Sequence, residues 1–328
     1  MREISLLIIA GGKSSRLGED KRFVEVGGEK LLEKILKKSS ENNFGEIFLC
    51  VEENLSEIKI LAEKYHAKIL VDEIKNCGPI AAISNGLQKI SNEWALAISA
   101  DMPFFNFESI FPIKFCEEKI ILPRVNGKFQ PLAAFYHKSV AEIFLQEISL
   151  GQRKMITAIK KVPYKILEVG DEKIFFNVNT REDLKLARGR AENLSRKIPI
   201  ISIVATESNS GKTTFIEKII KNLNLRIGVV KSTHHKIFEE NCTKDSFRFK
   251  QAGAKKVYVG EDFFIEVENF SDVDLILTES RTKKIFPAIL IYREEKIFDE
   301  KIVAAFKSEE IFNNDDEAIK IIKFLACK

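Results

Sequence analysis

Several features that mark secreted, membrane and nucleic-acid-binding proteins are missing from this chain. Its five cysteines, Cys50, Cys77, Cys116, Cys242 and Cys327, are odd in number and never form a CxxC pair. That pattern argues against a disulfide framework or a zinc site and suits a reducing cytoplasm. No apolar run approaches the roughly 18 residues needed to cross a bilayer, and a strand pattern starts almost at once, so neither a membrane span nor a signal peptide is expected. Charge of one sign is missing too. The 52 basic and 48 acidic residues leave a formal +4, which gives no polyanion-binding field, and nucleic acid is not an expected partner. Only eight prolines, with 45% apolar and 30% charged residues, describe an ordinary globular protein. There is no internal sequence repeat.

A chain of 328 residues exceeds what one hydrophobic core usually supports, so two domains are expected. Short apolar runs at Ile4 to Ala10, Glu46 to Val51, Lys68 to Val71, Ala95 to Ala100 and Lys119 to Leu122 alternate with helical patterns such as Leu31, Leu32, Ile35 and Leu36. This βα alternation predicts a mainly parallel sheet covered by helices on both faces. The stretch from Arg181 to Lys197 is charged and helical and reads as a last helix plus linker. The run Ile198 to Val204 then restarts the same logic, with strands expected at Arg226 to Val230, Lys256 to Val259, Asp274 to Leu277 and Ala288 to Tyr292 and a closing helix from Asp316 to Ala326. The expected division is a domain over 1–190, a linker over 191–197 and a second domain over 198–328. The fold class is α/β, with two doubly wound domains.

Each domain carries a loop between an apolar strand and an amphipathic helix that suits phosphate binding. In the first, Ile9 and Ala10 lead into Gly11-Gly12, whose bare backbone lets a phosphate approach, while Lys13, Arg16 and Lys21 supply neutralising charge. Two glycines followed by basic residues also occur in ordinary loops. Asp101 ends an apolar strand, so its carboxylate should emerge at the carboxyl edge of the sheet, where such folds bind ligands and where it could hold Mg²⁺. The plainer alternative is an Asp capping the turn before Pro103.

Five separated strings together are more specific: Ala10-Gly11-Gly12-Lys13-Ser14-Ser15-Arg16-Leu17-Gly18 with Asp20-Lys21, Asp72 with Gly78-Pro79-Ile80, Asp101-Met102-Pro103, Gln130-Pro131-Leu132, and Asn177-Val178-Asn179-Thr180. In order and spacing this domain resembles the MobA-type molybdenum cofactor guanylyltransferases, within a wider nucleotidyltransferase superfamily of Rossmann-like fold. The resemblance implies transfer of GMP from GTP to Mo-molybdopterin with release of pyrophosphate. It implies catalysis by Arg16, Lys21 and Asp101, the last binding Mg²⁺. It implies nucleotide contacts from Ile9, Ala10, Gly11, Gly12, Lys21, Asp72, Gly78 and Asp101, and pterin contacts from Gln130, Asn177 and Asn179. From the residues alone, the two asparagines read equally well as a polar turn before a helix capped by Thr180. The family's asparagine after the second strand falls at Cys50, which cannot make the same hydrogen bonds, and related enzymes of the superfamily use CTP on this fold. Base choice therefore stays open between guanine and cytosine.

In the second domain Gly211-Lys212-Thr213, after a strand and before a helix, has the character of the phosphate-gripping end of a Walker A loop. Thr206 replaces the glycine that the full pattern requires. Asp274-Leu275-Ile276-Leu277-Thr278-Glu279 is an apolar strand ending in an acid, as a Walker B element would be; the alternative is a plain edge strand. With Val230-Lys231-Ser232-Thr233-His234-His235, Lys244-Asp245-Ser246-Phe247-Arg248 and Ala252-Gly253-Ala254, the domain resembles the MobB family of GTP-binding adaptor proteins, with a P-loop NTPase-like fold. That resemblance implies nucleotide contacts from Asn209, Ser210, Gly211, Lys212, Thr213, Thr214 and Glu279, with Thr213 on Mg²⁺. Adjacent histidines in a strand point to opposite faces, so His234 and His235 are not expected to share a metal, and a place near the nucleotide is expected instead. Ser280 and Arg281 stand where the family often has a glycine, which leaves GTP hydrolysis open. The whole chain thus reads as a fusion of the two proteins, which would raise their effective concentration. Its partners would be GTP, Mo-molybdopterin and molybdoenzyme acceptors or their chaperones.

Overall fold

The computed structural model describes residues 2–11, 16–53, 55–74, 77–111, 117–207, 209–232, 244–260, 270–280, 285–313 and 315–327. Packing divides the chain into two compact units, Met1–Thr180 and Arg181–Lys328. The first unit runs through β1 (Ile4–Ile9), β2 (Glu25–Val26), β3 (Glu29–Lys30), α1 (Leu31–Glu41), β4 (Glu46–Val51), α2 (Ser56–Lys64), β5 (Lys68–Val71) and α3 (Pro79–Lys89). It continues with β6 (Trp94–Ser99), β7 (Ile120–Val125), β8 (Lys128–Phe129), β9 (Ala133–His137), α4 (Val140–Ser149), α5 (Met155–Ile159) and β10 (Tyr164–Glu168).

The main sheet has the order β10-β7-β9-β6-β1-β4-β5, with β8 beside β7. All six residues of β1 and of β6 are buried, as expected of central parallel strands covered on both sides. Successive β1 residues alternate between two cores. Leu6 and Ile8 pack with Leu32, Leu36, Ile58 and Ala62 of α1 and α2, whereas Leu7 and Ile9 pack with Ile80, Ile83, Val140 and Phe144 of α3 and α4. One departure from an all-parallel sheet is β9, antiparallel to both β6 and β7. From β1 the chain builds outward through β4 and β5 and then returns to β6 on the other side. The carboxyl ends of β1 and β6 therefore flank a topological switch point, where an open α/β sheet forms its crevice.

The second unit comprises α6 (Arg181–Leu194), β11 (Ile200–Ala205), α7 (Lys212–Asn222), β12 (Ile227–Ser232), α8 (Lys244–Ala252), β13 (Lys256–Gly260), β14 (Leu275–Ser280), β15 (Ala288–Tyr292), β16 (Ile302–Lys307), α9 (Ser308–Asn313) and α10 (Asp316–Ala326). Its sheet, ordered β13-β12-β14-β11-β15-β16, is parallel throughout. Ile201, Ile203 and Ala205 pack with the apolar stripes of α7 and α10. Ile200 lies instead with Phe270 and Val273, and Val204 with Leu290 and Ile302.

The boundary differs from the sequence expectation. Residues 181–190, expected to close the first domain, and 191–194, expected to be linker, form one helix that belongs to the second unit. The cause lies in side chains that a composition reading takes for solvated surface. Arg190 donates to the carbonyls of Phe324 and Cys327, and Asn193 Nδ2 to that of Leu325, at the end of α10. These are the last carbonyls of a helix, which lack partners within it and attract positive charge. Asn193 Oδ1 also accepts from the Ile200 N–H at 3.1 Å, where β11 begins. Gly189 allows the close approach: a Cβ there would stand 2.9 Å from Val303 Cγ1 and 3.2 Å from Leu325 Cδ2.

A fragment of residues 181–328 should accordingly unfold in one cooperative transition, whereas one of residues 198–328, without α6, should melt several degrees lower or not fold. Thermal unfolding followed by circular dichroism checks this; equal melting temperatures would show that α6 is dispensable to the second unit.

Candidate functional site

A cleft of about 410 Å³ opens at the switch point of the first unit. Its lining includes Ile9 and Gly11 from the end of β1, Ser99 and Asp101 from the end of β6, and Glu52 and Asp72 from the ends of β4 and β5. Gly78 and Pro79 bring in the start of α3, and Asn177 and Asn179 come from the loop before α6. The backbone fixes this convergence. The Ala10 N–H donates to the Cys50 carbonyl at 2.9 Å, the Ala100 N–H to Ile9 at 3.0 Å, and the Asp72 N–H to Val51 at 2.8 Å. The Val178 N–H donates to the Asp101 carbonyl at 3.0 Å, which pins the asparagine loop to the same edge. Gly78 adopts φ +69° at the N-cap of α3, a left-handed conformation natural to glycine, and Pro79 follows at the first turn.

Asp101 is 5% exposed and fully engaged. Its Oδ2 accepts from Lys21 Nζ at 2.7 Å and its Oδ1 from the Ser99 hydroxyl at 2.6 Å. This pairing keeps a buried carboxylate compensated. One carboxylate with cleft space beside it matches what Mg²⁺ asks of a protein, because that ion keeps several waters and takes substrate phosphates as its other ligands.

Asp72 is in a different condition. Its Oδ1 is buried without a hydrogen-bond partner. Burial, with the charge of Glu52 as the second cause, pushes its carboxyl up to about 6. Gly11 lies against both acids: a Cβ there would be 3.4 Å from Glu52 Cγ and 3.5 Å from Asp72 Oδ2.

Of the first-domain residues singled out from sequence, Ile9, Gly11, Lys21, Asp72, Gly78, Asp101, Asn177 and Asn179 thus line one cleft. Ala10 is buried beside it. Arg16 is exposed and Gln130 half-buried, and neither is among the cleft-lining residues. Gly12 and Lys13 lie outside the described residues. Cys50, the position in question for base choice, is 1% exposed in the apolar cluster with Phe48 and Ile83. Burial first and the charge of Asp72 second push its thiol far up. Sequence reading passed over Glu52 and Ser99. The available signal was their position, because each is a polar residue at the carboxyl end of an apolar strand.

In the second unit, Gly211 takes the left-handed conformation at φ +89° and caps α7, and Asn209 adopts φ +59°. Ser210 Oγ donates to the Glu207 carbonyl at 2.9 Å. Lys212 is 9% exposed at the first position of the helix, followed by Thr213 and half-buried Thr214. The Thr213 hydroxyl donates to Glu279 Oε1 at 2.8 Å. Glu279 lies inside β14, in register with Ile203 and Lys231 of the neighbouring strands. Its Oε2 is buried without a hydrogen bond, with Lys231 Nζ 3.9 Å away. A hydroxyl beside an unsatisfied buried carboxylate oxygen suits Mg²⁺. His234, His235 and Arg281 lie outside the described residues. No described helix is long and apolar enough to cross a membrane.

Residues 6–162 match the family model described as MobA-like NTP transferase domain, and residues 200–311 match Molybdopterin guanine dinucleotide synthesis protein B. A "Probable molybdenum cofactor guanylyltransferase" from Natranaerobius thermophilus is 32% identical over 200 residues, which cover 56% of this chain and 95% of that one. A protein of the same name from Aquifex aeolicus is 26% identical over 184 residues, covering 54% and 87%. Among solved structures, molybdopterin-guanine dinucleotide biosynthesis protein A from Archaeoglobus fulgidus is 25% identical, covering 56% of this chain and 97% of its own, with a TM-score of 0.48. A relative matched along nearly its whole length places the first unit, and the second family model places the other: the chain belongs to the molybdenum cofactor guanylyltransferase family of nucleotidyltransferases and carries a MobB domain in the same polypeptide.

Proposed function

We propose that the first unit transfers GMP from GTP to Mo-molybdopterin and releases pyrophosphate, and that the second is a GTP-binding adaptor that assists delivery of the product to molybdoenzyme acceptors or their chaperones. The observation that carries this reading is the gathering of Gly11, Lys21, Asp72, Gly78, Asp101, Asn177 and Asn179 at one cleft. These residues come from motifs far apart in the sequence. A cytoplasmic location goes with the reading.

In this scheme the terminal phosphate of molybdopterin attacks the α-phosphorus of GTP, the bond to the β-phosphate oxygen breaks, and no covalent enzyme intermediate forms. Gly11 lets the triphosphate lie against backbone, and the N-terminus of α3 favours negative charge. The Lys21 ammonium neutralises charge on the leaving pyrophosphate. Arg16, exposed and not among the cleft-lining residues, would add to this neutralisation. Asn177 and Asn179 can both donate and accept, which suits a pterin edge; Gln130, half-buried and not among the cleft-lining residues, would be the third pterin contact. Asp101 would hold Mg²⁺, which neutralises phosphate oxygens when bound. In the second unit, Asn209 to Thr214 would cradle phosphates, and Thr213 with Glu279 would hold its Mg²⁺.

Incubating the protein with Mg²⁺, Mo-molybdopterin and either GTP or CTP should yield dinucleotide and pyrophosphate with GTP. Asp101→Ala should lower kcat by about 100-fold or more, and Lys21→Ala by a similar factor. Product with CTP alone would reassign the enzyme to the cytidylyl relatives. Binding without product would favour a nucleotide-switched delivery protein.

The raised carboxyl of Asp72 makes a second prediction. Its folded value of about 6 lies above the ordinary 3.8, so the folded state binds this proton more tightly than the unfolded state does. Ionisation therefore costs stability as pH rises from 3.8 through about 6, and the cost is complete above that range. Asp72→Asn should raise the melting temperature of the first unit by roughly 2–4 °C near neutral pH. Near the lower end of the window the gain should vanish. Fluorescence of Trp94, the chain's single tryptophan, reports this transition; a gain independent of pH would mean that Asp72 is not the titrating group.

A further inference from the structure

Lys21 reaches Asp101 from residues 16–24, a stretch that is neither helix nor strand. A lysine has a flexible stem and loses much rotamer freedom when its ammonium is fixed in one place. Its backbone must therefore be held by something other than regular structure. Asp20 to Phe23 form a tight turn, in which the Phe23 N–H donates to the Asp20 carbonyl at 3.0 Å and the Arg22 N–H to Asp20 Oδ1 at 3.0 Å. The far side of the turn is tied to α1. That helix starts without a side-chain cap, and its first N–H groups, those of Leu31 and Leu32, donate instead to the carbonyls of Val24 and Arg22 at 3.0 Å each.

The side chains on either side of Lys21 in the sequence bond to each other. Arg22 Nε donates to Asp20 Oδ1 at 2.9 Å and Arg22 Nη2 to Asp20 Oδ2 at 2.6 Å, and the Arg22 side chain is only 16% exposed. This two-pronged pair takes up both carboxylate oxygens. Burial alone would raise the Asp20 carboxyl, but the hydrogen bonds and charge of Arg22, and after them the charge of Lys21, hold it below its usual value. The Lys21 charge thus acts on Asp20 as well as on Asp101. Without Arg22, a bare carboxylate would stand on the residue next to Lys21 and compete with Asp101 for its ammonium.

We propose that Arg22 and Asp20 are positioning residues for Lys21: their ion pair holds the turn and occupies the neighbouring carboxylate that would otherwise draw the ammonium away from the cleft. This rests on the transferase reading above, in which Lys21 neutralises charge on the leaving pyrophosphate.

The test uses the full chain and two measurements, steady-state dinucleotide formation and labelling of Lys21 by acetic anhydride, located by peptide mass spectrometry. Arg22→Met should lower kcat by about tenfold, the size of one lost charge-assisted hydrogen bond, and leave KM for Mo-molybdopterin unchanged. Labelling of Lys21 should rise by a similar factor, because an ammonium no longer closed over a buried carboxylate is open to the reagent. Adding Asp20→Asn to Arg22→Met should restore most of both, since the amide oxygen still accepts from the N–H of residue 22 while the competing charge is gone. A side chain that only stabilised the fold would not be rescued by changing its partner. In a Lys21→Ala chain, Arg22→Met should cost nothing further, as expected of two residues that act through one group. An undiminished kcat in Arg22→Met, a loss that Asp20→Asn does not relieve, or a loss of equal size in the Lys21→Ala chain overturns the proposal. Labelling reports the placement of Lys21 whether or not product forms. Labelling that rises with Arg22→Met and falls again with Asp20→Asn, in a chain that makes no dinucleotide, would sustain the positioning and sink the transferase reading; product formation with kcat and labelling unmoved by Arg22→Met would do the reverse.

Discussion

The first unit depends on one packing constraint: β1 is buried on both faces and hydrogen-bonded on both edges, between β4 and β6. Parallel neighbours end at the same level, so whatever follows them emerges at one edge. The chain turns back across β1 instead of adding strands in one direction, and a gap opens between connections that leave on opposite sides. Gly11, Glu52, Asp72 and Asp101 meet there because their strands cannot end anywhere else.

Charge is arranged unevenly along that edge. Asp101 is compensated by Lys21 and Ser99, while Asp72 has a buried Oδ1 without a donor among the described residues, and burial first, with the Glu52 charge second, raises its carboxyl. Structural ion pairs in a folded domain are normally closed. An acid left open at a cleft, with a buried oxygen facing no donor, is the kind of local conflict that functional sites retain at the expense of stability. In the second unit Glu279 has one oxygen satisfied by Thr213 and the other buried without a hydrogen bond, 3.9 Å from Lys231 Nζ.

Much of this was legible in the sequence for a simple reason. Strands buried on both faces, such as Ile4–Ile9 and Trp94–Ser99, must be continuously apolar, and the residue that ends them must be at the functional edge. Strand direction was not legible: Ala133–His137 is as apolar as its neighbours yet runs antiparallel. Nor was Tyr164–Glu168, a partly exposed edge strand whose pattern is weak. Helix α6 was misplaced because Arg190 and Asn193 look like surface residues in one dimension and act as caps for α10 in three. Glu52 escaped notice because no motif string contains it, and Cys50 drew attention because an ungapped comparison counts positions without regard to where the strand ends: Cys50 is buried inside β4, and Glu52 lies past its end.

The burial of Cys50 has a chemical consequence of its own. Thiols react with oxidants and electrophiles as thiolates, and both burial and the nearby Asp72 charge hold this one protonated. A cysteine two residues before the cleft-lining Glu52 is therefore a small apolar filler, closed to peroxide and alkylating agents while the first unit stays folded.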